Sequence, residues 1–363
     1  MHTVIEADKK KIDQTKVLSD AINNNISSFT PDFSYQQMVK DYKTSEKLLG
    51  KTMIRELTGY DPGYVGRNIN IPEFQRELKR RIEKNIERLK KSKLLEEDGS
   101  ISEEGFQYSA LAMLSEDLDK LSSQGFYGQH KNNKANKIGE EKYVRQYKKG
   151  DKYKDINSRA SIRQALRRGN KHVKAQDLQT SIKQAQGTLN TVYAIDTSGS
   201  MKGEKIKLAK QAGLSLAYMA SKNNDKTGLI TFNSKIGSML QPTTDFSQIL
   251  HEIAHIKTRG ETDITKCLEQ VKELFTTRQN NHLVLITDAV QTLGEPEQEL
   301  MKQAGELASN KVSLTIIGIS LNEKGETIAK KIIDITRGKL YKVNSFDNLS
   351  QIVLEDYYSA KEK

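Results

Sequence analysis

TVYAIDTSGSM, residues 191–201, is the stretch on which the reading turns. An apolar run ends at Asp196, and Thr197-Ser198-Gly199-Ser200 follows without a large side chain until Met201. A short apolar run closed by turn residues reads as a buried strand whose end is polar. Moving outward, the same grammar recurs in TGLITF (227–232), HLVLITD (282–288), VSLTIIGIS (312–320) and KLYKV (339–343). Amphipathic stretches separate these runs, and helices are expected near 202–222, 246–257, 263–277, 295–309, 323–336 and 346–360. Near-continuous apolar strands alternating with helices imply a mostly parallel sheet covered on both faces. IGSMLQPTT (236–244) reads as an antiparallel edge strand after a short reversal. The fold class is therefore α/β: a C-terminal doubly wound sheet flanked by helices, preceded by a mainly helical N-terminal domain.

Ligand crevices in open α/β sheets lie at the carboxyl ends of the strands. One strand here ends in Asp196-Thr197-Ser198-Gly199-Ser200, another ends in Asp288, and Arg259-Gly260-Glu261-Thr262 precedes the helix at 263–277. Carboxylates and hydroxyls converging there are hard oxygen donors, with no thiolate or imidazole among them. Such a set selects Mg²⁺, with Mn²⁺ and Ca²⁺ as the other cations it admits, over Zn²⁺.

These residues carry a resemblance. Residues 189–358 resemble a von Willebrand factor A domain, a Rossmann-like fold, with a complete metal-ion-dependent adhesion site. Its D-x-S-x-S motif matches Asp196, Ser198 and Ser200, its threonine matches Thr262, and its fourth-strand aspartate matches Asp288. The resemblance implies that Ser198 and Ser200 ligate the metal directly, and Thr262 directly or through water. It implies that Asp196 and Asp288 act largely through water, and that a position stays open for a partner's Asp or Glu. Two departures are visible: Glu261 stands where a second glycine precedes the threonine, and Ala289 follows Asp288 where glycine is frequent. Upstream, YKKGDKYKDINSRASIRQALRRG, DLQTSIKQ and DGSISEEGF are similar to intracellular bacterial and archaeal members. Some of those, like the D subunit of magnesium chelatase, work beside AAA+ ATPases of the MoxR or chelatase type.

Three regions follow: a helical domain over 1–126, a basic linker with an arginine-rich helix and a lead-in strand over 127–188, and the A domain over 189–363. Within the first, Pro72 opens a helix with Phe74, Leu78, Ile82, Ile86 and Leu89 on one face. Asp98-Gly99 signals a tight turn, and Leu111, Leu114, Leu118 and Leu121 stripe the next helix. The chain has net charge +11, and residues 131–190 hold 16 Lys/Arg against 5 Asp/Glu, so the remainder is neutral. Such a segment suits nucleic acid, an anionic membrane, an acidic protein surface or plain solvation. In the helix SRASIRQALRRG, Ser158 is the expected N-cap and Gly169 the stop. Arg159, Arg163 and Arg167 form one stripe, suited to carboxylates or phosphates, while Ile162, Ala165 and Leu166 line another face.

Other motifs are weaker. His251-Glu252-Ile253-Ala254-His255 matches H-E-x-x-H of zinc proteases. Ile249, Leu250, Ile253 and Ile256 form that helix's apolar stripe, which leaves both histidines on a surface face without an evident third ligand. Cys267, the sole cysteine, sits among apolar residues at helical spacing and reads as a buried thiol. Gly50-Lys51-Thr52 ends like a P-loop, but position 45 is Ser and no strand precedes it. MHTVIEADKKK lacks a signal-peptide core and no apolar stretch reaches bilayer length, so a cytoplasmic chain is expected. The expected function is a Mg²⁺-dependent protein-binding module, not an enzyme: an adaptor or co-chaperone beside an AAA+ ATPase. The alternatives are an RNA-associated scaffold resembling the Ro autoantigen, reached through residues 131–190, and a zinc metalloprotease through HEIAH.

Overall fold

The computed structural model describes residues 15, 18–124, 141–148, 156–168, 173–183, 188–275, 280–288, 297–343 and 348–361. They group into two compact units, one drawn from 1–124 and 188–363, the other from 125–187.

In the first unit a six-stranded sheet takes shape from β3 (Leu189–Asp196), β4 (Lys226–Phe232), β5 (Ile236–Thr243), β6 (Asn280–Thr287), β7 (Ser313–Ile319) and β8 (Lys339–Val343). Its order is β5-β4-β3-β6-β7-β8, parallel throughout except for β5 on the edge. Every residue of β3 is buried, as expected of a central strand covered on two faces. Successive side chains divide between those faces. Tyr193, Ile195, Val284, Ile286, Ile317 and Ile319 belong to one core, while Val192, Ala194, Leu283, Leu285, Leu314 and Ile316 belong to the other. The edge strand β5 alternates partly buried with exposed residues instead.

The crossover helices are α7 (Glu204–Lys222), α8 (Phe246–Ala254), α9 (Ile264–Val271), α10 (Glu297–Ser309), α11 (Glu323–Thr336) and α12 (Leu349–Lys361). Helices α9, α10 and α11 cover the Val192 face; α7, α8 and α12 cover the Tyr193 face. A further helical layer lies over the second group: α1 (Pro31–Lys40), α2 (Tyr42–Thr58), α3 (Pro62–Asn68), α4 (Pro72–Lys91) and α5 (Glu103–Ser123). The stripe on α4 is realised, with Leu78, Ile82, Ile86 and Leu89 buried. These residues share one continuous core with Tyr193 and Ile195 of β3. Gly50-Lys51-Thr52 falls inside α2, at a kink where Gly50 has φ 77°, and not on a strand-to-helix loop.

The turn at Asp98-Gly99 is where that layer is most exacting. Gly99 has φ 84°, and the amide of Phe29 donates to its carbonyl at 2.7 Å. A Cβ at Gly99 would lie 2.3 Å from the carbonyl oxygen of Phe29. Gly99→Ala is expected to cost about 2–4 kcal/mol, from left-handed strain plus backbone displacement. A urea midpoint unchanged from wild type would contradict this.

The second unit contains β1 (Glu141–Gln146), antiparallel to β2 (Gln179–Lys183), and α6 (Ser158–Arg167). Strand β1 lies within the stretch read from sequence as connector. It escapes a periodicity reading because a two-stranded ribbon has no buried face to enforce alternation, and its Val144 is 40% exposed. One detail of α6, its N-cap, also departs from expectation. Asn157, not Ser158, caps it, accepting from the Ala160 amide at 2.9 Å. Ile162 and Leu166 are exposed, and the buried positions are Ser161 and Ala165. The expected stop at Gly169 and the residue Ala289 lie outside the described residues.

Candidate functional site

Strand β3 is the switch point of the sheet: the chain runs from it to β4 on one side and later returns to β6 on the other. The loop after β3 therefore opens between diverging crossovers. Local hydrogen bonds hold it. The Thr197 amide donates to Phe232 O at 2.7 Å, and the Gly199 amide to Gly260 O at 2.8 Å. The Arg259 amide returns to Thr197 O at 2.8 Å. Gly260 adopts φ 74°, which lets the loop bearing Thr262 turn back beside Ser198.

Asp196, Ser198, Ser200, Thr262 and Asp288 all meet here. Asp196 Oδ1 accepts from the Ser198 amide at 2.8 Å, and its Oδ2 from Thr262 Oγ1 at 3.3 Å. The Ser198 and Ser200 hydroxyls are 3.1 Å apart, and Ser200 Oγ donates to Asp288 Oδ1 at 2.8 Å. Asp196, Ser198, Thr262 and Asp288 are buried, while Ser200 is exposed and gives the cluster its opening to solvent. Burial pushes the Asp196 carboxyl up, against the hydrogen bonds from Thr287 and Ser198. Two carboxylates and three hydroxyls around one point are the donor set of a hard divalent cation. Asp196, Ser198, Ser200, Thr262 and Asp288 are the residues that could hold it. Glu261 is exposed.

Three neighbours escape sequence reading. Thr287 Oγ1 donates to Asp196 Oδ2 at 2.6 Å, because the register pairing Ile195 with Ile286 brings the next residues side by side. Lys205, in the first turn of α7, places Nζ 2.5 Å from Asp288 Oδ2. Lys210 is fully buried and donates from Nζ to Ile256 O at 2.9 Å, holding the start of the loop that ends at Thr262. Burial, with the like charge of Lys257, pulls its pKa down to about 7. The one available signal is position: Thr287 directly precedes Asp288, and Lys205 opens the helix after the motif.

The helical layer reaches the same loop. Asn25 brackets Thr258, donating to its carbonyl at 2.8 Å and accepting from its amide at 3.1 Å. His251 on α8 and His255 at its C-cap lie opposite the buried Ile249, Leu250 and Ile253, as their spacing requires. The structure places beside them a carboxylate that the helix's own sequence does not show: Glu103 of α5 lies 2.9 Å from His251 Nδ1 and 3.1 Å from His255 Nε2. No local pattern could reveal a residue 148 positions away. Cys267 is fully buried in the apolar core, and burial pushes its thiol far up, as fits an inert side chain.

In the second unit, Arg159, Arg163 and Arg167 line a groove of about 470 Å³ together with Val144 and Gln179. Among the described residues no carboxylate pairs with those three arginines; Arg168 alone of that run does so, with Asp177 at 3.2 Å.

Residues 191–291 match the family model of the von Willebrand factor type A domain. This part of the chain is thus a von Willebrand factor type A domain, the C-terminal α/β part of the molecule. Among individual proteins, the chain is 26% identical over 183 residues to inter-alpha-trypsin inhibitor heavy chain H4 of Sus scrofa, covering 47% of this chain and 19% of that protein. It is 28% identical over 146 residues to regulatory protein ViaA of Proteus mirabilis, covering 39% of this chain and 29% of ViaA. The chain thus spans less than a third of the length of these relatives. Among solved structures, BatB from Bacteroides thetaiotaomicron is similar with TM-score 0.42 and 16% identity, over 48% of this chain and 100% of that one. A von Willebrand factor type A protein from Catenulispora acidiphila is similar with TM-score 0.41 and 17% identity, over 49% of this chain and 44% of that one. No described helix is long and apolar enough to cross a membrane.

Proposed function

We propose that the A domain is a metal-dependent protein-binding module, with Mg²⁺ at Asp196, Ser198, Ser200, Thr262 and Asp288, and that it acts without catalysis of its own. The observation that carries this is the convergence of the five oxygen side chains at a crevice whose one exposed member is Ser200. When bound, a hard divalent cation supplies a positive charge that a partner's Asp or Glu can approach. The chain's own part is positional. Asp196 fixes the Ser198 amide and the Thr262 and Thr287 hydroxyls, and Asp288 fixes Ser200. Among the described residues no histidine contacts Ser198 or Ser200 to activate a nucleophile.

We further place the protein as an adaptor or co-chaperone, in the cytoplasm, beside an AAA+ ATPase of the MoxR or chelatase type. The similarity to a protein named as regulatory supports an interaction role. The groove at Arg159, Arg163 and Arg167 is a second contact surface, its guanidinium groups matching carboxylates on a partner. The test is retention of cellular proteins on immobilised full-length chain in Mg²⁺ and in EDTA, for wild type and Thr262→Ala, with circular dichroism as folding control. Mg²⁺-dependent retention of an ATPase, weakened in Thr262→Ala, is the expected result. Equal retention in EDTA and by the variant would refute the metal-dependent reading.

Lys205 offers a sharper test of the electrostatics. Its ammonium sits on Asp288 and repels any cation bound beside it. Lys205→Gln is expected to tighten Mg²⁺ binding by about fivefold, corresponding to about 1 kcal/mol of removed repulsion in a partly solvated site. Calorimetry showing weaker binding would mean that Lys205 supports the site.

A further inference from the structure

We infer that Glu103, His251 and His255 form a second cation site, for a borderline transition metal of the Zn²⁺ class, which staples α5 of the helical layer to α8 of the A domain. One ligand atom from each of the three residues lies within 4.8 Å of the others. Glu103 Oε1 is 2.9 Å from His251 Nδ1, and Oε2 is 3.1 Å from His255 Nε2.

The histidines are set up as ligands. His255 Nδ1 lies 2.8 Å from the His251 carbonyl, and a carbonyl oxygen only accepts. The proton on Nδ1 is therefore assigned by geometry; Nε2 faces the Glu103 carboxylate, which likewise only accepts, so a cation bound there would take the place of the Nε2 proton. That arrangement, a backbone carbonyl holding the far ring nitrogen, is the usual support behind a metal-bound imidazole. The ring is also held in orientation, stacked on Phe106 of α5 with centroids 4.4 Å apart. His251 lies against His255 at 4.5 Å between centroids, one helical turn away.

The donor chemistry differs from that of the A-domain crevice. Two imidazoles and one carboxylate favour Zn²⁺, Co²⁺, Ni²⁺ or Cu²⁺, whereas an all-oxygen set favours Mg²⁺. The two sites should load independently. Side-chain exposures of 49% for His251, 32% for His255 and 53% for Glu103 leave room for water at a fourth position. Because the ligands come from both layers, cation binding there favours the docked arrangement of α5 on α8 over any separated one.

The experiment is titration of the full-length chain with Zn²⁺ by calorimetry and with Co²⁺ by visible absorption, in saturating Mg²⁺. The expected result is one equivalent of Zn²⁺ and an intense visible Co²⁺ band of the nitrogen-ligated, low-coordinate kind. Both should persist in Ser198→Ala/Ser200→Ala. In His251→Gln or Glu103→Gln, Zn²⁺ binding should weaken by roughly 100-fold or more, since even an outer partner of a ligand is worth about 10–100-fold. Zn²⁺ should raise the melting temperature of wild type by a few degrees and leave that of His251→Gln unmoved. Zn²⁺ binding that is absent, or unaltered in both ligand variants, overturns the site. So does binding lost with the serine substitutions and kept in His251→Gln, which would locate the ion at the A-domain crevice.

Discussion

Asp196→Asn is expected to lower Mg²⁺ affinity by roughly 100-fold or more while leaving the fold intact. The substitution keeps shape and hydrogen-bonding capacity. The amide oxygen can accept from the Ser198 amide, and the hydroxyls of Thr262 and Thr287, donors to Asp196 now, can turn to accept from the new NH₂. What disappears is a full negative charge beside a doubly charged ion. At an effective dielectric of about 20, a unit pair about 4 Å apart is worth about 4 kcal/mol, so a loss of about 3 kcal/mol is conservative. Asp196→Ala should lose the same affinity and also destabilise the fold by about 1–3 kcal/mol, because buried donors lose their acceptor. Calorimetry separates the two effects when paired with a urea melt of each variant. Retained Mg²⁺ affinity in a folded Asp196→Asn protein would remove Asp196 from the site. Partner retention should follow the same order, with Thr262→Ala milder than either Asp196 variant.

Asp356→Ala is expected to cost about 3–5 kcal/mol of stability, the usual loss on breaking a buried charged pair. Asp356 on α12 faces His282 Nε2 of β6 at 2.7 Å and Lys339 Nζ of β8 at 3.3 Å, with its own side chain 1% exposed. Burial pushes the Asp356 carboxyl up, but the hydrogen bond and charge of His282, aided by Thr315 and Lys339, hold it below its ordinary 3.8. The sign of the pH effect follows. A depressed folded value means this contribution is complete above about pH 4 and is lost as pH falls through the lower folded value. Asp117 of α5 has the opposite sign. Burial raises its carboxyl despite hydrogen bonds from Ser215 on α7 and from Ser350 on α12 at 2.8 Å. Its ionisation therefore costs stability as pH rises from 3.8 through the raised value. In urea melts between pH 3 and 7, Asp356→Ala should flatten the acid limb, whereas Asp117→Asn should remove the opposing slope. An acid limb unchanged in Asp356→Ala would assign acid sensitivity to other carboxylates.

Much of the A domain is legible in its amino-acid sequence. VYAI, LITF, LVLIT and LTIIGI are apolar without alternation, and only a strand with both faces covered is free of the need for a polar side. IGSMLQPT breaks that pattern with Gly, Ser, Gln and Pro, as fits an edge strand, and in β5 partly buried and exposed residues alternate. The crevice is legible for a similar reason. Asp196, Ser198 and Ser200 are neighbours in the chain, and Thr262 and Asp288 sit at element ends whose position the sheet topology dictates. The arginine helix is less legible. Spacing groups Arg159, Arg163 and Arg167 on one face, but spacing alone cannot say which of the other faces is covered, and Ile162 and Leu166 are exposed.

By itself, then, the sequence determined the strand–helix alternation, the sheet's two-sided burial and the five oxygen residues at the strand ends. The first two rest on spacing along the chain, where backbone geometry converts residue number into direction; the oxygen residues rest on their place at element ends and on the resemblance of their motif. Only the tertiary structure decided that Lys205 neutralises Asp288, that Thr287 holds Asp196, and that the helical layer packs over the helices covering the Tyr193 face. It alone brought Glu103 to His251 and His255. Those contacts depend on how separately formed elements dock. Docking is chosen by the summed burial of many side chains, and no single motif records its outcome.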